Sequence, residues 1–183
     1  METGVEENGP SRPDPANKEV AMSDTYSPDI YKVLEDATPV AVVITCSDPR
    51  FQAAFREFTE GKLGLAQGTY IPFVVDGGAG ALGRPESLPK EFKFMKERLE
   101  MFKQRSGSIK RVILINHEDC GYYDNLGSKL GALLPFHLHP PHEDMKLIQQ
   151  VFIRLLSHLC LQLEPYYARF VDGSRTQITI EPA

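Results

Sequence analysis

The sequence has no tryptophan, only three cysteines and no excess of positive charge. Three thiols (Cys46, Cys120 and Cys160) are too few, and odd in number, for a disulfide framework. They read instead as free thiols in a reducing compartment or as thiolates on a metal. A formal charge of −5 and a pI near 5.6 speak against nucleic acid or an anionic membrane as the main partner. No apolar run approaches the ~20 residues that span a bilayer. The stretch Met1–Asn8 lacks the basic and apolar regions of a secretory signal, so a cytoplasmic protein is expected. There is no C-x-x-C pair, which disfavours a redox thiol. There is no G-x-x-x-x-G-K-[ST] either, so the glycine-rich stretch near residue 80 is not read as a nucleotide loop.

What remains is an ordinary globular composition, 42% hydrophobic and 25% charged over 183 residues, enough for one domain with a substantial core. Residues 1–25 are rich in Glu, Pro, Asn, Ser and Asp and predict a flexible tail. Residues 26–183 predict a single α/β domain with a small, mostly parallel sheet flanked by helices. Ser27-Pro28-Asp29 reads as a helix start whose face would be Ile30, Val33 and Leu34. Val40–Thr45 is a buried strand, followed by a helix over 51–66 with Phe51, Phe55, Phe58 and Leu63 available for burial. A second strand, Tyr70–Val75, carries Pro72 and runs into Asp76–Gly83, where four glycines mark a sharp turn or close approach. Ser87 is placed to cap a long helix from Leu88 to Arg105 with a stripe of Leu88, Phe92, Met95, Leu99 and Phe102. Strand three, Arg111–Ile115, completes a βαβ crossover and so implies parallel strands.

Beyond Gly121, Tyr122–Leu134 is read as a short helix or lid. Pro135–His142 is read as a loop whose His137, His139 and His142 are candidate proton carriers. A helix from Glu143 or Asp144 follows, its stripe drawn through Ile148, Phe152, Leu155, Leu159 and Leu163, with Cys160 inside it as packing. A turn over Phe170–Arg175 and a last strand, Gln177–Ile180, end the chain.

The chemistry lies where the first and third strands stop. The first ends at Cys46-Ser47-Asp48-Pro49-Arg50, the third at Asn116-His117-Glu118-Asp119-Cys120-Gly121. In a parallel sheet both clusters leave the same edge, where open α/β sheets bind ligands. Cys46, His117 and Cys120 then meet at one point, and two thiolates with one imidazole make a zinc set with an open fourth position. Asp48 and Arg50 alternate with Cys46, and an arginine that holds a carboxylate bidentately decides whether Asp48 reaches the metal.

Cys-Ser-Asp-Pro-Arg followed by His-Glu-Asp-Cys-Gly resembles the paired motifs of the β-class carbonic anhydrases, C-x-D-x-R and H-x-x-C, over roughly residues 30 to 125. The resemblance implies zinc on Cys46, His117 and Cys120, with Asp48 and Arg50 as a catalytic dyad. It also implies reversible hydration of carbon dioxide to bicarbonate by a zinc-bound hydroxide, and a homodimer or larger homo-oligomer whose amino-terminal arm reaches across to the partner. Three stretches depart from the family: Val75–Gly80 replaces an Arg-Asn-Ala-Gly run, Tyr122 and Tyr123 stand where a small residue is usual, and Leu34–Thr38 stands where many members have a glutamine before the first strand. Two other readings keep the zinc, a structural or scaffold role without catalysis and hydrolysis of another small heterocumulene such as carbon disulfide.

Overall fold

The computed structural model describes residues 30–123, 141–171 and 173–183. The expected tail, most of the Tyr122–Leu134 segment, His137 and His139 lie outside the described residues, as does the side chain of His142. The chain divides into two units, residues 1–33 and 34–183. Of the first, residues 30–33 form neither helix nor strand, and Ile30, Tyr31 and Val33 are exposed, Ile30 at 98%. The helix expected after Ser27 is therefore absent over its described residues. Isolated helices of a few turns are marginal unless an apolar face packs on something, and this one has no covered face.

The second unit is built on a five-stranded sheet in the order β2-β1-β3-β4-β5. The strands are β1 (Ala41–Cys46), β2 (Tyr70–Val75), β3 (Arg111–His117), β4 (Gln162–Val171) and β5 (Ser174–Pro182). β2, β1, β3 and β4 are parallel, and β5 returns antiparallel along β4. Pro72 is tolerated because β2 is an edge strand whose neighbour is β1 alone.

β1 is buried along its whole length because both faces are covered, as a parallel strand requires. Val42 and Ile44 face one core with Val112, Leu114, Met95, Leu99, Met145, Ile148 and Phe152. That core is closed by α2 (Pro89–Arg105) and α3 (Pro141–Leu155). Ala41 and Val43 face the other core, with Phe51, Phe55, Leu65, Ile113 and Ile115. Here the cover is α1 (Gln52–Glu57), which widens into a π-type turn over Phe58–Lys62 and ends at Gly64, φ +68°. On the same face, beside the open edge of β2, runs a groove of about 540 Å³ lined by residues that include Phe55, Thr59, Tyr70, Pro72 and Val74.

Three expectations change. Ser87 does not cap α2; Leu88 stands at that position and Pro89 opens the helix. α3 begins two or three residues earlier than expected, at Pro141, and stops at Leu155 rather than running to Leu163. A short 3-10 turn (Ser157–Leu159) follows, and Cys160 sits in a left-handed conformation, φ +49°, exposed rather than on a core stripe. That break releases Gln162–Val171 into β4, which the helix reading had partly absorbed. β4 has the period of a strand: Tyr166, Ala168 and Phe170 join one core, while Leu163 joins the other.

Candidate metal centre

In the parallel register Thr45 lies opposite Ile115, so Cys46 and the Asn116-His117 pair leave the sheet side by side at its carboxyl edge. Residue parity then sorts the side chains. His117 falls on the α1 side, where Phe51 lies against the imidazole with ring centroids 4.0 Å apart. Asn116 falls on the α2–α3 side, against the glycine loop. Asp119 takes a left-handed conformation, φ +57°, which suits Asp and Asn better than most residues and folds Cys120 back toward β1.

The result is a compact group. Ligand atoms of Cys46, His117 and Cys120 all lie within 4.8 Å of one another, and the two Sγ atoms are 3.6 Å apart. All three residues are buried. Among the described residues, no fourth His, Cys, Asp or Glu joins the group. The Cys46 thiol is lowered to about 4, first by the hydrogen bond from Cys120 and further by His117; burial opposes this. Cys120 is raised by its hydrogen bond to Cys46 and by burial. The pair thus gives up one proton readily and holds the second.

These donors fit a metal ion. His117 Nδ1 lies 2.7 Å from the Glu118 carbonyl oxygen, so Nδ1–H donates there and Nε2 carries the lone pair. Nε2 is buried and has no hydrogen-bond partner among the described residues. A buried nitrogen lacking a partner is costly, on the order of 1–3 kcal/mol, unless a metal takes the lone pair. A soft thiolate pair with an imidazole is a donor set that suits zinc.

Asp48 stands back from this group because Arg50 holds it. Arg50 Nε donates to both carboxylate oxygens at 3.1 Å and an Nη to Oδ2 at 2.7 Å, while the Arg50 backbone N–H donates to Oδ1 at 3.0 Å. The Asp48 carboxyl is held below its ordinary range, chiefly by that guanidinium. Asp119, which the sequence reading passed over, completes the clamp: Arg50 also donates to its carboxylate and to its backbone carbonyl, each at 3.0 Å. The same guanidinium lies over the Phe51 ring, so Phe51 contacts both Arg50 and His117. Gln52 Nε2 donates to the carbonyls of Cys46 and Asp48, at 2.7 and 2.9 Å, pinning the loop between them. Ser47 hydrogen-bonds Asp76.

The glycine loop and the tyrosine pair, two separate oddities of the sequence, are one feature of the structure. Gly77 and Gly78 have positive φ, +72° and +57°. A methyl group at Gly77 would sit 2.2 Å from the Tyr122 ring, and one at Gly80 would sit 2.2 Å from the Tyr123 hydroxyl oxygen. The rings occupy the space the glycines leave, and both pack against Cys46 and Cys120. Tyr123 is also next to a buried ion pair, Arg84 to Asp144 at 2.6 Å. Its hydroxyl is raised well above its ordinary value, by burial first and the Asp144 carboxylate second. Gly80→Ala should therefore destabilise the fold by about 1–3 kcal/mol through overpacking. Tyr123→Phe in the same chain should recover part of that loss, a coupling that a double-mutant cycle in urea would measure. Additive effects would mean the ring and the loop do not interlock.

No family model matches the chain, and no curated protein does. Among solved structures it is similar to a carbonic anhydrase from Glaciozyma antarctica, at 18% identity and a TM-score of 0.44, covering 72% of this chain and 78% of that one. It is also similar to the β-carbonic anhydrase isoform I of Trichomonas vaginalis, at 15% identity and a TM-score of 0.41, covering 83% and 87%. A third is one of the tetrameric β-carbonic anhydrases of Sordaria macrospora, at 14% identity and a TM-score of 0.37, covering 79% and 80%.

Proposed function

We propose that this protein is a zinc-dependent carbonic anhydrase that interconverts carbon dioxide and bicarbonate. The observation that carries the reading is the open donor group: three buried ligands converge, and Asp48, the carboxylate two residues beyond Cys46, is tied back by Arg50 through both oxygens. A purely structural zinc site closes with four protein donors, whereas a catalytic one keeps a position free.

Cys46, His117 and Cys120 hold the zinc. When bound, zinc supplies a Lewis acid that brings water's pKa down to about 7. The rest is the work of this chain's side chains. Asp48, kept ionised by Arg50, accepts a hydrogen bond from the nucleophile and orients it. Arg50, braced by Asp119 and Phe51, keeps the carboxylate from swinging onto the metal. Tyr122 and Tyr123 crowd the thiol side and limit the water that enters there. Chelating the metal should abolish hydration of carbon dioxide in a stopped-flow indicator assay, and one equivalent of zinc should restore it. Hydration that survives complete chelation would rule the reading out.

The protein works in the cytoplasm, where its three free thiols stay reduced. Among the described residues no helix is long and apolar enough to cross a membrane. It is a homodimer or larger homo-oligomer. Ile30, Val33 and Leu34 are exposed in the chain by itself, and burying a side chain of that kind is worth roughly 1.5–3 kcal/mol. Sedimentation equilibrium should return at least twice the 20.5 kDa chain mass, and removing residues 1–34 should shift it toward monomer. A monomer mass at every concentration, with activity intact, would contradict the assembly.

A further inference from the structure

Glu118, inside the second motif and exposed, is held to β4 twice. Its backbone N–H donates to the Ala168 carbonyl at 2.9 Å, one step past the last register pair of the parallel β3–β4 ladder, His117 with Ala168. Its side-chain Oε2 accepts the Phe170 N–H at 3.0 Å. A third contact runs back into the metal centre, where the Glu118 carbonyl oxygen accepts His117 Nδ1–H at 2.7 Å.

The bond from Phe170 is the informative one. In a parallel pair the ladder bonds are evenly spaced, and a residue that donates to one partner accepts from the partner two positions further on. With the Glu118 N–H on Ala168, the next bond of a regular ladder would run from the Phe170 N–H to the Glu118 carbonyl. The Phe170 N–H is directed instead to the Glu118 carboxylate, where the β4–β5 register also shifts between Phe170 and Val171. A carbonyl kept in the ladder lies in the plane of the sheet, whereas the His117 side chain stands off that plane, on the α1 side. One oxygen cannot serve both donors with good geometry. The carboxylate takes the place of the main-chain acceptor, so the ladder ends with its donor satisfied and the carbonyl is free to turn to the imidazole.

We propose that Glu118 is a positioning residue for His117: by accepting the Phe170 N–H in place of its own carbonyl, its side chain frees that carbonyl to fix the imidazole with Nδ1 protonated and Nε2 bare. The proposal rests on the zinc reading for what Nε2 binds, and on the hydrogen bonds alone for the tautomer. It makes β4 a support of the metal centre, although no β4 side chain belongs to the donor group. What the position requires is an acceptor of glutamate's reach. Its charge is exposed to solvent and screened, so the charge itself is dispensable.

The test reads metal affinity and tautomer rather than turnover. Full-length protein, reduced and stripped of metal, is compared as wild type, Glu118→Gln and Glu118→Ala. Zinc affinity is measured by competition against a chelator, and the His117 tautomer of the metal-free protein by the nitrogen NMR shifts of its imidazole. Glu118→Gln loses the charge and keeps an acceptor of the same reach; Glu118→Ala loses both. Zinc should bind Glu118→Ala about tenfold more weakly, the lower end of what loss of an outer-shell partner typically costs, while Glu118→Gln stays close to wild type. The imidazole should carry its proton on Nδ1 in wild type and Glu118→Gln, and shift toward the Nε2–H form in Glu118→Ala. Equal weakening in both variants would make the effect one of charge and overturn the proposal. A zinc affinity or a tautomer left unchanged in Glu118→Ala would overturn it as well. If Glu118→Ala does not fold, Glu118→Met, which keeps the length without an acceptor, decides by the same two readings. Wild-type protein that binds no zinc would defeat the zinc reading, and the tautomer comparison would then decide the role of Glu118 alone.

Discussion

Cys120→Ser should lose its zinc. In the proposed centre three protein donors hold the ion, and a serine hydroxyl is neither soft nor ionised at neutral pH, so two ligands would remain of the three that lie within 4.8 Å. Cys46→Ser and His117→Ala should do the same. Metal binding to the folded state alone also adds stability, about 2.7 kcal/mol when free metal is at 100 times its dissociation constant. For a chain of this size that corresponds to a fall in Tm of about 5–10 °C on stripping. Elemental analysis of purified variants, with a thermal scan beside it, checks both effects. Full zinc occupancy in Cys120→Ser would remove the ligand assignment. Cys160→Ser is the control: that thiol is exposed at the turn before β4 and, among the described residues, belongs to no metal-holding group, so zinc and Tm should not move.

The second large effect is on rate with the metal kept. Arg50→Ala deletes the guanidinium that holds both oxygens of Asp48 and bridges to Asp119. The freed carboxylate can then turn toward the metal and take the place the nucleophile needs. Asp48→Asn keeps the shape but removes the charge that orients that nucleophile. Either change should lower kcat/KM for carbon dioxide by about 10²–10³, the usual worth of one preorganised electrostatic contact, with one zinc per chain retained. Near-wild-type rates in both variants would reduce the Asp48–Arg50 pair to a surface ion pair, and its partial exposure makes that a fair contest. Loss of zinc in Arg50→Ala would instead assign the clamp to metal retention.

Much of the site was legible because its chemistry is local. Apolar runs that stop at Cys46 and at His117 announce buried parallel strands, and parallel strands put both stops on one edge. What could not be read depends on contacts distant in sequence or on breaks without a marker. Arg84 and Asp144 are 60 positions apart and form their buried pair only once α3 is docked. Asp119 was visible inside the second motif, but its grip on Arg50 follows from a left-handed backbone that no glycine signalled. β4 was hidden because Leu155, Leu159 and Leu163 recur at helical spacing, and the helix ends at Leu155 with Cys160, not a glycine, taking positive φ. The glycine loop and the two tyrosines were each visible as departures from the family pattern. Their fit to one another needed the folded chain, since Gly77 and Tyr122 are 45 positions apart in a sequence that brings them into contact only through α2 and β3.

The central claim, that Cys46, His117 and Cys120 hold a zinc ion open to catalysis, is tested most directly by measuring zinc content and carbon dioxide hydration on the same sample of wild-type protein at pH ~8.5, well above the ~7 expected when zinc acidifies water. The structure leads us to expect one zinc per chain and hydration that disappears with the zinc. One zinc per chain with no hydration would contradict the catalytic reading and turn the centre into a structural one.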